Sequence, residues 1–176
     1  MRFVQTNFPD APIVELDYVE DQRGFFARAW CKREFERNKL SSLIVQVNIS
    51  LSREKGTLRG MHFQRAPNAE TKLVRAIRGH IYDVIIDLRP QSTFYKQWIG
   101  VHLTAENRRA LVVPEGFAHG FMTLADNTEV LYQASEFHHP EAEAGVRFDD
   151  PTFAIRWPMA ATTISKKDAT WPTFSG

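Results

Sequence analysis

The feature that most limits how this chain can fold is a series of short segments rich in β-branched and aromatic residues. Segments of this length and composition are typical of β-strands. The clearest ones cover residues 13–18, 44–50, 73–77, 81–88, 98–103, 111–113 and 130–132. Turn-forming residues lie between them, at 55–56, 78–79, 89–90 and 114–116. This spacing predicts an all-β fold with antiparallel strands, either a sandwich or a barrel.

Only one segment has a helical pattern. Residues 32–39 are mostly charged, carry Phe35 at an apolar position and precede a loop of serines, so a short surface helix is predicted there. The chain has no internal repeat and no linker-like stretch rich in Gly, Ser or Pro. We therefore expect one domain over residues 1–176, which is long enough to bury a core without cross-links.

Composition narrows the classes of partner. The formal net charge is +1, and basic residues alternate with acidic ones, so no nucleic-acid-binding face is expected. The N-terminus lacks the apolar run of a signal peptide, and no apolar stretch reaches the length of about 18 residues that a membrane span needs. The single cysteine, Cys31, rules out a disulfide within the chain and fits a reducing compartment. We expect a cytoplasmic protein that binds neither nucleic acid nor membrane.

The predicted strand at residues 81–88 carries carboxylates in an unusual place. In strict alternation, Asp83 and Asp87 share a face with Ile81 and Ile85. An unpaired carboxylate is costly to bury, so a polar-lined barrel interior is one explanation. The alternative is a solvated face on which the two isoleucines are partly exposed, and this strand by itself does not decide between them.

Two of the six histidines lie in distinctive surroundings. Arg59 and His62 are three residues apart, so a regular strand would point them to opposite faces, but a bulge at Gly60 would turn both inward. His119 follows a turn at residues 114–116 and lies among small and aromatic residues that suit the wall of a cavity. Either histidine taken alone is more often structural.

Other chemistries find little support. No His or Glu lies two residues from His62, and the adjacent His138 and His139 would face opposite ways in a strand, so the spacing of a barrel metal site is missing. Nucleophile-elbow, P-loop and Rossmann patterns are also missing. The remaining separated His, Tyr, Lys, Arg and Asp residues suit proton transfer on a bound anion without metal or cofactor.

Several stretches in a fixed order resemble the dTDP-4-dehydrorhamnose 3,5-epimerase family. They are residues 23–26 (RGFF), 56–64 (GTLRGMHFQ), 72–74 (KLV), 83–89 (DVIIDLR), 114–121 (PEGFAHGF) and 149–158 (DDPTFAIRWP). The resemblance extends from about residue 21 to residue 168. It implies a cupin double-stranded β-helix, or jelly-roll barrel, with a few short helices, and a homodimer that exchanges N-terminal strands. It also implies epimerisation of a 4-keto-6-deoxy nucleotide-diphosphate sugar with no metal or cofactor.

The resemblance assigns roles to residues of this chain. His62 is similar to the base that removes a proton beside the 4-keto group, and Tyr132 to the acid that delivers a proton from the opposite face. Asp168 would fix and stabilise the imidazole, and Lys72 would stabilise the enolate. His119 and Asp83 resemble a second hydrogen-bonded pair, which would also explain the inward carboxylate. Further positions similar to substrate-contacting ones are Arg23, in the neighbour's site, and Gln46, Asn48, Arg59, His119, His138, Glu143 and Lys167.

Two positions depart from the pattern of the family. Arg28 stands where an acidic residue is expected, and His138 replaces a tyrosine that would stack on the base. The proton-transfer residues are intact while base recognition is altered. The nucleotide therefore stays open among thymidine, guanosine and cytidine diphosphates, and so does inversion of carbon 3, carbon 5 or both.

Three alternative functions remain at the sequence level. A related cupin activity, 3,4-ketoisomerisation, also moves protons beside a ketone. A sugar-nucleotide binding module would use the same cavity without chemistry. A metal-dependent cupin is the least favoured.

Overall fold

The computed structural model describes residues 1–175 and consists mainly of two β-sheets. In spatial order, the first sheet contains β1 (Arg2–Val4), β2 (Ile13–Glu15), β10 (Ala110–Val113), β7 (Lys72–Arg78), β12 (Thr128–Ala134) and β5 (Gln46–Ser52). The second contains β13 (Glu143–Gly145), β6 (Thr57–Gln64), β11 (Phe117–Thr123), β8 (His80–Asp87) and β9 (Trp98–Thr104), with β14 (Thr163–Ile164) beside β6. A separate hairpin is formed by β3 (Tyr18–Asp21) and β4 (Gly24–Ala27), and the helices are α1 (Lys32–Arg37) and α2 (Lys166–Ala169).

The two sheets pack face to face over an apolar core. Val74 and Val130 of the first sheet contact the same cluster as Ile81, Ile85 and Phe121 of the second, and all five are buried. Within residues 1–175 the strands pair antiparallel, except that β14 runs parallel to β6. The predicted all-β barrel with antiparallel pairing and a few short helices is therefore confirmed.

Six of the seven predicted strands are present with ends shifted by at most two residues. The strand predicted at residues 13–18 begins at Ile13 as expected but is not continuous, because the chain leaves the first sheet after Glu15 and begins the hairpin at Tyr18. The break includes Asp17, whose carboxylate is 2.8 Å from the N-terminal ammonium.

The predicted helix ends at Arg37, earlier than expected, because Lys39 adopts a left-handed φ of 59°. Helix α2 has four residues, too few for a periodic signal.

The turn predicted at residues 114–116 is present, and the segment around His119 that follows it is a strand that the sequence did not predict. Residues Phe117–Thr123 form β11, which pairs with β6 on one side and β8 on the other. Apart from His119, its residues are buried. Its first six residues include no β-branched residue, which is why its composition gave no strand signal.

The carboxylates of β8 point into the barrel. Asp83, Asp87, Ile81 and Ile85 are all fully buried. The alternative of a solvated face with partly exposed isoleucines is therefore wrong. The opposite face, with Val84 and Ile86, packs under the segment that follows β13.

A bulge in β6 places two predicted residues on one face. His62 is opposite His119, and Arg59 is opposite Phe121, so three steps along β6 match two along β11. Arg59 and His62 consequently both line the cavity between the sheets. This confirms the bulge expected at Gly60.

Replacement of Gly60 by alanine is expected to destabilise the protein by about 3 kcal/mol. Gly60 has a φ of 120°, and a Cβ there would lie 2.5 Å from Cα of Gly120 and 2.7 Å from the carbonyl oxygen of His119. Gly24→Ala is the matched control, because Gly24 has a similar φ of 124° but no atom within 4 Å of the added Cβ. Urea unfolding of both variants tests this, and an equal loss in both would contradict the close approach at Gly60.

Candidate active site

The cavity between the sheets has two adjoining parts that share lining residues. The larger chamber, of about 490 Å³, and the smaller chamber, of about 350 Å³, are both lined by His62, Lys72 and Tyr132. The imidazole and the phenol, which come from distant parts of the sequence and from different sheets, therefore face one shared space.

Strand register explains which side chains of the first sheet face this space. Asn48 on β5 pairs with Tyr132 on β12, and Gln46 pairs with Ala134. On the other side of β12, Ala134 pairs with Lys72. Directly opposed residues in a sheet project from the same face. Gln46, Asn48, Lys72 and Tyr132 therefore form one polar patch on the inner face, and all four line the smaller chamber.

The second sheet and α2 hold His62. Nε2 of His62 lies 2.6 Å from Oδ1 of Asp168, and the backbone N–H of Gly60 donates to Oδ2 at 3.2 Å. Ser165 caps α2 by accepting from the backbone N–H of Asp168 at 3.0 Å. A carboxylate on one ring nitrogen fixes the tautomer of an imidazole and stabilises its cation. The predicted contact between Asp168 and His62 is therefore present.

The carboxyl of Asp168 is buried, yet its pKa is lowered. Burial alone would raise the pKa of its carboxyl, but the hydrogen bonds from His62 and Gly60 together with the His62 charge hold it below the ordinary value of 3.8. The carboxylate thus stabilises the fold fully above that ordinary value. This contribution is lost as the pH falls through the lowered folded-state pKa.

Asp168→Asn is expected to lower the free energy of unfolding at neutral pH by about 2 kcal/mol, because a charge-assisted hydrogen bond in a buried place is lost. The deficit should shrink as the pH falls below about 4, because the carboxyl of the unfolded wild-type chain is then protonated and the folded one follows at its lower pKa. Urea unfolding of both proteins between pH 3 and pH 7 measures the difference. Parallel stability curves across that range would contradict the assignment.

Tyr132 has a perturbed phenol. Its pKa is raised above the ordinary value of 10.0, first by burial and then by the negative charge of Glu70, while Arg59 opposes the shift. Both causes of the rise favour the protonated phenol. At neutral pH the residue is a proton donor facing the cavity.

Two ion pairs lie in the cavity walls. Nζ of Lys72 is 2.9 Å from Oε1 of Glu70, with both side chains largely buried. Lys167 pairs with Glu143 at 2.5 Å, which joins the wall of the larger chamber to that of the smaller one. The exposed side chains of Arg59, His138 and Lys167 place positive or polar groups at the solvent-facing part of the cavity.

A second histidine–carboxylate pair lies deeper in the barrel. Nε2 of His119 is 2.8 Å from Oδ1 of Asp83, whose side chain is fully buried. Oδ2 of Asp83 has no hydrogen-bond partner among residues 1–175. The pairing expected from the sequence is confirmed, and His119 also lines the larger chamber.

The structure brings together nearly all the predicted site residues. Those that line one or both chambers are Gln46, Asn48, Arg59, His62, Lys72, His119, Tyr132, His138, Glu143, Lys167 and Asp168. Arg23 is apart from them, on the turn of the hairpin, where its exposed guanidinium pairs with Asp21. Arg28 is also outside the cavity and lies 3.6 Å from Glu34. The roles of these residues stay predictions.

Sequence reasoning missed Glu70. This residue precedes β7 and lies in no motif, and the pattern gives no sign that the loop before β7 reaches the cavity. Its position two residues before a cavity lysine is the only available signal. Trp171 was also missed, although its ring packs edge-on against His62 at 6.1 Å between centroids.

Residues 1–175 contain neither a membrane-spanning helix nor a cluster of metal-binding side chains. No helix there is long and apolar enough to cross a membrane. No group of three or more His, Cys, Asp or Glu side chains in this part of the chain is arranged to hold a metal ion.

The fold and the cavity define a cupin-type jelly-roll barrel with a histidine–aspartate pair and a tyrosine facing one interior space. A family model described as dTDP-4-dehydrorhamnose 3,5-epimerase matches residues 5–176. The chain belongs to this family, which confirms the resemblance found in the sequence. It is accordingly an isomerase of the epimerase type.

Individual relatives agree with the family model. A dTDP-4-dehydrorhamnose 3,5-epimerase from Methanothermobacter thermautotrophicus is 44% identical over 173 residues, covering 97% of this chain and 92% of the relative. The crystal structure of the Bacillus anthracis enzyme, with TDP and PPi bound, has a TM-score of 0.95 at 43% identity and covers 98% of this chain and 99% of its own. The Legionella pneumophila enzyme in complex with dTDP-4-keto-L-rhamnose has a TM-score of 0.90 at 37% identity, with coverages of 97% and 90%.

Proposed function

We propose that this chain, acting as one domain, epimerises carbon 3 and carbon 5 of a 4-keto-6-deoxy nucleotide-diphosphate sugar of the dTDP type. His62 is the base, and Tyr132 is the acid. The observation that carries the proposal is their placement on opposite sheets across one cavity, with His62 held by Asp168. His62 takes a proton from one face of the sugar and Tyr132 gives a different proton, replenished from solvent, to the other face, which inverts the carbon.

The reaction passes through an enolate, whose negative charge needs a partner. Lys72 lines both chambers beside Tyr132, so its ammonium is available to the developing oxyanion. A fixed charge in a partly desolvated site stabilises such an intermediate more than water does. We assign this role to Lys72.

The charged part of the substrate fits the solvent-facing part of the cavity. Arg59 is held by Ser52 and by the carbonyl of Leu51, and Lys167 is held by Glu143, so both cations are positioned for a diphosphate. His138 lines the smaller chamber and offers an imidazole face to the base. Gln46, Asn48 and Glu143 supply further polar contacts.

Uptake of solvent deuterium tests the proposal. Incubation with thymidine, guanosine and cytidine diphosphate 4-keto-6-deoxy sugars in deuterium oxide should label carbon 3 and carbon 5 of the thymidine substrate. NMR of the product identifies the inverted centres. A shifted keto group would instead indicate a ketoisomerase, absence of any uptake a binding module, and loss of uptake after chelation a metal-dependent cupin.

We further propose a homodimer that exchanges its N-terminal hairpins. The hairpin exposes Val19 and Phe26, each 71% accessible, and edge strand β5 exposes Val47 and Ile49 at 57% and 64%. Oε1 of Gln133 on the neighbouring strand is buried without a partner within residues 1–175. An exchanged hairpin covers this apolar surface and carries Arg23 toward the partner's cavity.

Analytical ultracentrifugation tests the assembly. Two 20.3 kDa chains should sediment together, and Ile49→Arg should release monomers. Sedimentation of the wild-type protein as a monomer would contradict the dimer.

The cytoplasmic location expected from the single cysteine stays a prediction.

A further inference from the structure

Glu70 lies where it can act on two groups of the proton-transfer site at once. It lies in the loop before β7, lines the smaller chamber and contacts the ammonium of Lys72 at 2.9 Å. The side chains of Glu70 and Lys72 are 12% and 14% exposed. Neither partner can leave a pair this sheltered without an unpaired charge in a poorly hydrated place, so the pair is persistent.

The register of the first sheet places Lys72 beside Tyr132. Lys72 pairs with Ala134 on β12, and Tyr132 pairs with Val74 on β7, so the two side chains are diagonal neighbours on the inner face. Glu70, Lys72 and Tyr132 all line the smaller chamber. The carboxylate, the ammonium and the phenol therefore form one cluster on the wall opposite His62.

We propose that Glu70 is a positioning residue of this epimerase: its carboxylate holds the Lys72 ammonium against the reacting sugar and keeps Tyr132 in its protonated, donating form. The inference rests on the proposed function, because it takes Lys72 and Tyr132 as the groups that contact the sugar. Glu70 itself acts through them.

The first half of this role is geometric. A lysine ammonium is carried on a flexible four-carbon stem, so its position must be selected by partners. Among the cavity residues, Glu70 is the carboxylate within ion-pair distance of Lys72, while Glu143 is engaged by Lys167. A displacement of the stabilising charge by about 1 Å can slow catalysis roughly 100-fold.

The second half is electrostatic. Titratable and charged groups line every wall of the chambers that Tyr132 faces: Glu70 and Lys72 beside it, Arg59 and His62 on β6, His119 on β11 with Asp83 buried behind it, Glu143 on β13, and Lys167 and Asp168 on α2. Among these groups, Glu70 raises the pKa of Tyr132, after the larger effect of burial, and Arg59 lowers it. Removal of the Glu70 charge therefore makes the phenol lose its proton at a lower pH.

Two variants separate the geometric role of Glu70 from its electrostatic role. Glu70→Gln keeps the shape and removes the charge, and Glu70→Asp keeps the charge and shortens the reach. Glu129→Gln is the matched control, because Glu129 pairs with Arg78 across the same two strands and is not among the residues lining either chamber. We measure kcat and KM of the wild type and the three variants from pH 6 to about pH 11, a range that extends past the ordinary phenol pKa of about 10 because that of Tyr132 is raised above it.

We expect Glu70→Gln to lower kcat by roughly 10- to 100-fold with KM nearly unchanged, because the Lys72 charge acts mainly on the enolate-like transition state. In the plot of kcat against pH for this variant, the alkaline limb, where activity falls as Tyr132 loses its proton, should move to lower pH. Glu70→Asp should lose part of kcat but keep the wild-type alkaline limb, and Glu129→Gln should match the wild type in both.

The proposal is overturned if the alkaline limb of Glu70→Gln coincides with that of the wild type, or if its loss lies only in KM. A wild-type protein without epimerase activity would instead contradict the proposed function itself. The two failures are thus distinguishable within one experiment.

Discussion

His62→Asn is expected to lower kcat by roughly 1,000-fold, which is the range that a positioned general base contributes. The asparagine amide can still donate to Asp168, so the wall around Gly60 and α2 should keep its structure. It has no basic nitrogen at neutral pH. Deuterium uptake at carbon 3 and carbon 5 should therefore be lost together, while the KM for the nucleotide sugar changes little.

The control for this variant is His102→Asn. His102 is an exposed residue of β9 that contacts His80 at 2.8 Å, and it belongs to neither chamber lining. It should retain wild-type turnover. Deuterium uptake by His62→Asn at the wild-type rate would remove His62 as the base and with it the proposed mechanism.

Tyr132→Phe is expected to uncouple proton exchange from inversion. The phenylalanine keeps the ring in the cavity but cannot deliver a proton, so formation of inverted product should fall by roughly 100- to 10,000-fold. His62 remains, and it can still remove a proton and return one from solvent to the same face. Recovered substrate should therefore carry deuterium without inversion, which NMR of the sugar ring detects.

Tyr82→Phe removes a phenol from the same barrel outside the cavity. Burial raises the pKa of the Tyr82 phenol as it does for Tyr132, but Tyr82 contacts the cluster on the outer face of the second sheet. It should leave both exchange and inversion intact. Normal inversion by Tyr132→Phe, or an equal loss of exchange and inversion, would contradict its role as the acid on the opposite face.

The two variants together test the main consequence of the barrel architecture. His62 is fixed on the second sheet and Tyr132 on the first, so a sugar ring between them has one group on each side. A base and an acid on a single strand could exchange a proton but not invert a centre. The separation of the sheets therefore matters to the chemistry as much as the identity of the residues.

The all-β class could be predicted because strand-forming composition and turn residues are local properties of the sequence. The strands β5, β7, β8, β9, β10 and β12 were located to within two residues, because their segments are rich in β-branched and aromatic residues. The same signals missed β11, which has no β-branched residue before Thr123, and α2, which is too short to show a period. The sequence also predicted one continuous strand where the structure has β2 and β3, because the ion pair of Asp17 with the N-terminus is not a local signal.

The site was predicted through a resemblance rather than through periodicity. The spacing of Arg59 and His62 suggested opposite faces, and only a bulge at Gly60 reconciled them. The pairing of His119 with Asp83 was implied by the resemblance, and the structure contains it. Glu70 had no such signal, because its importance depends on the place where a loop ends.

The sequence by itself determined the strand content, the residue types available for proton transfer and the family to which the chain belongs. Only the tertiary structure decided that His62, Asp168, Tyr132 and Lys72 share one space, and that Glu70 joins them. The physical reason is the separation along the sequence over which each effect acts. Strand propensity and alternation act over a few residues, whereas the contact between His62 and Asp168 spans 106 positions. Such contacts are set by the packing of two sheets, which no local pattern encodes.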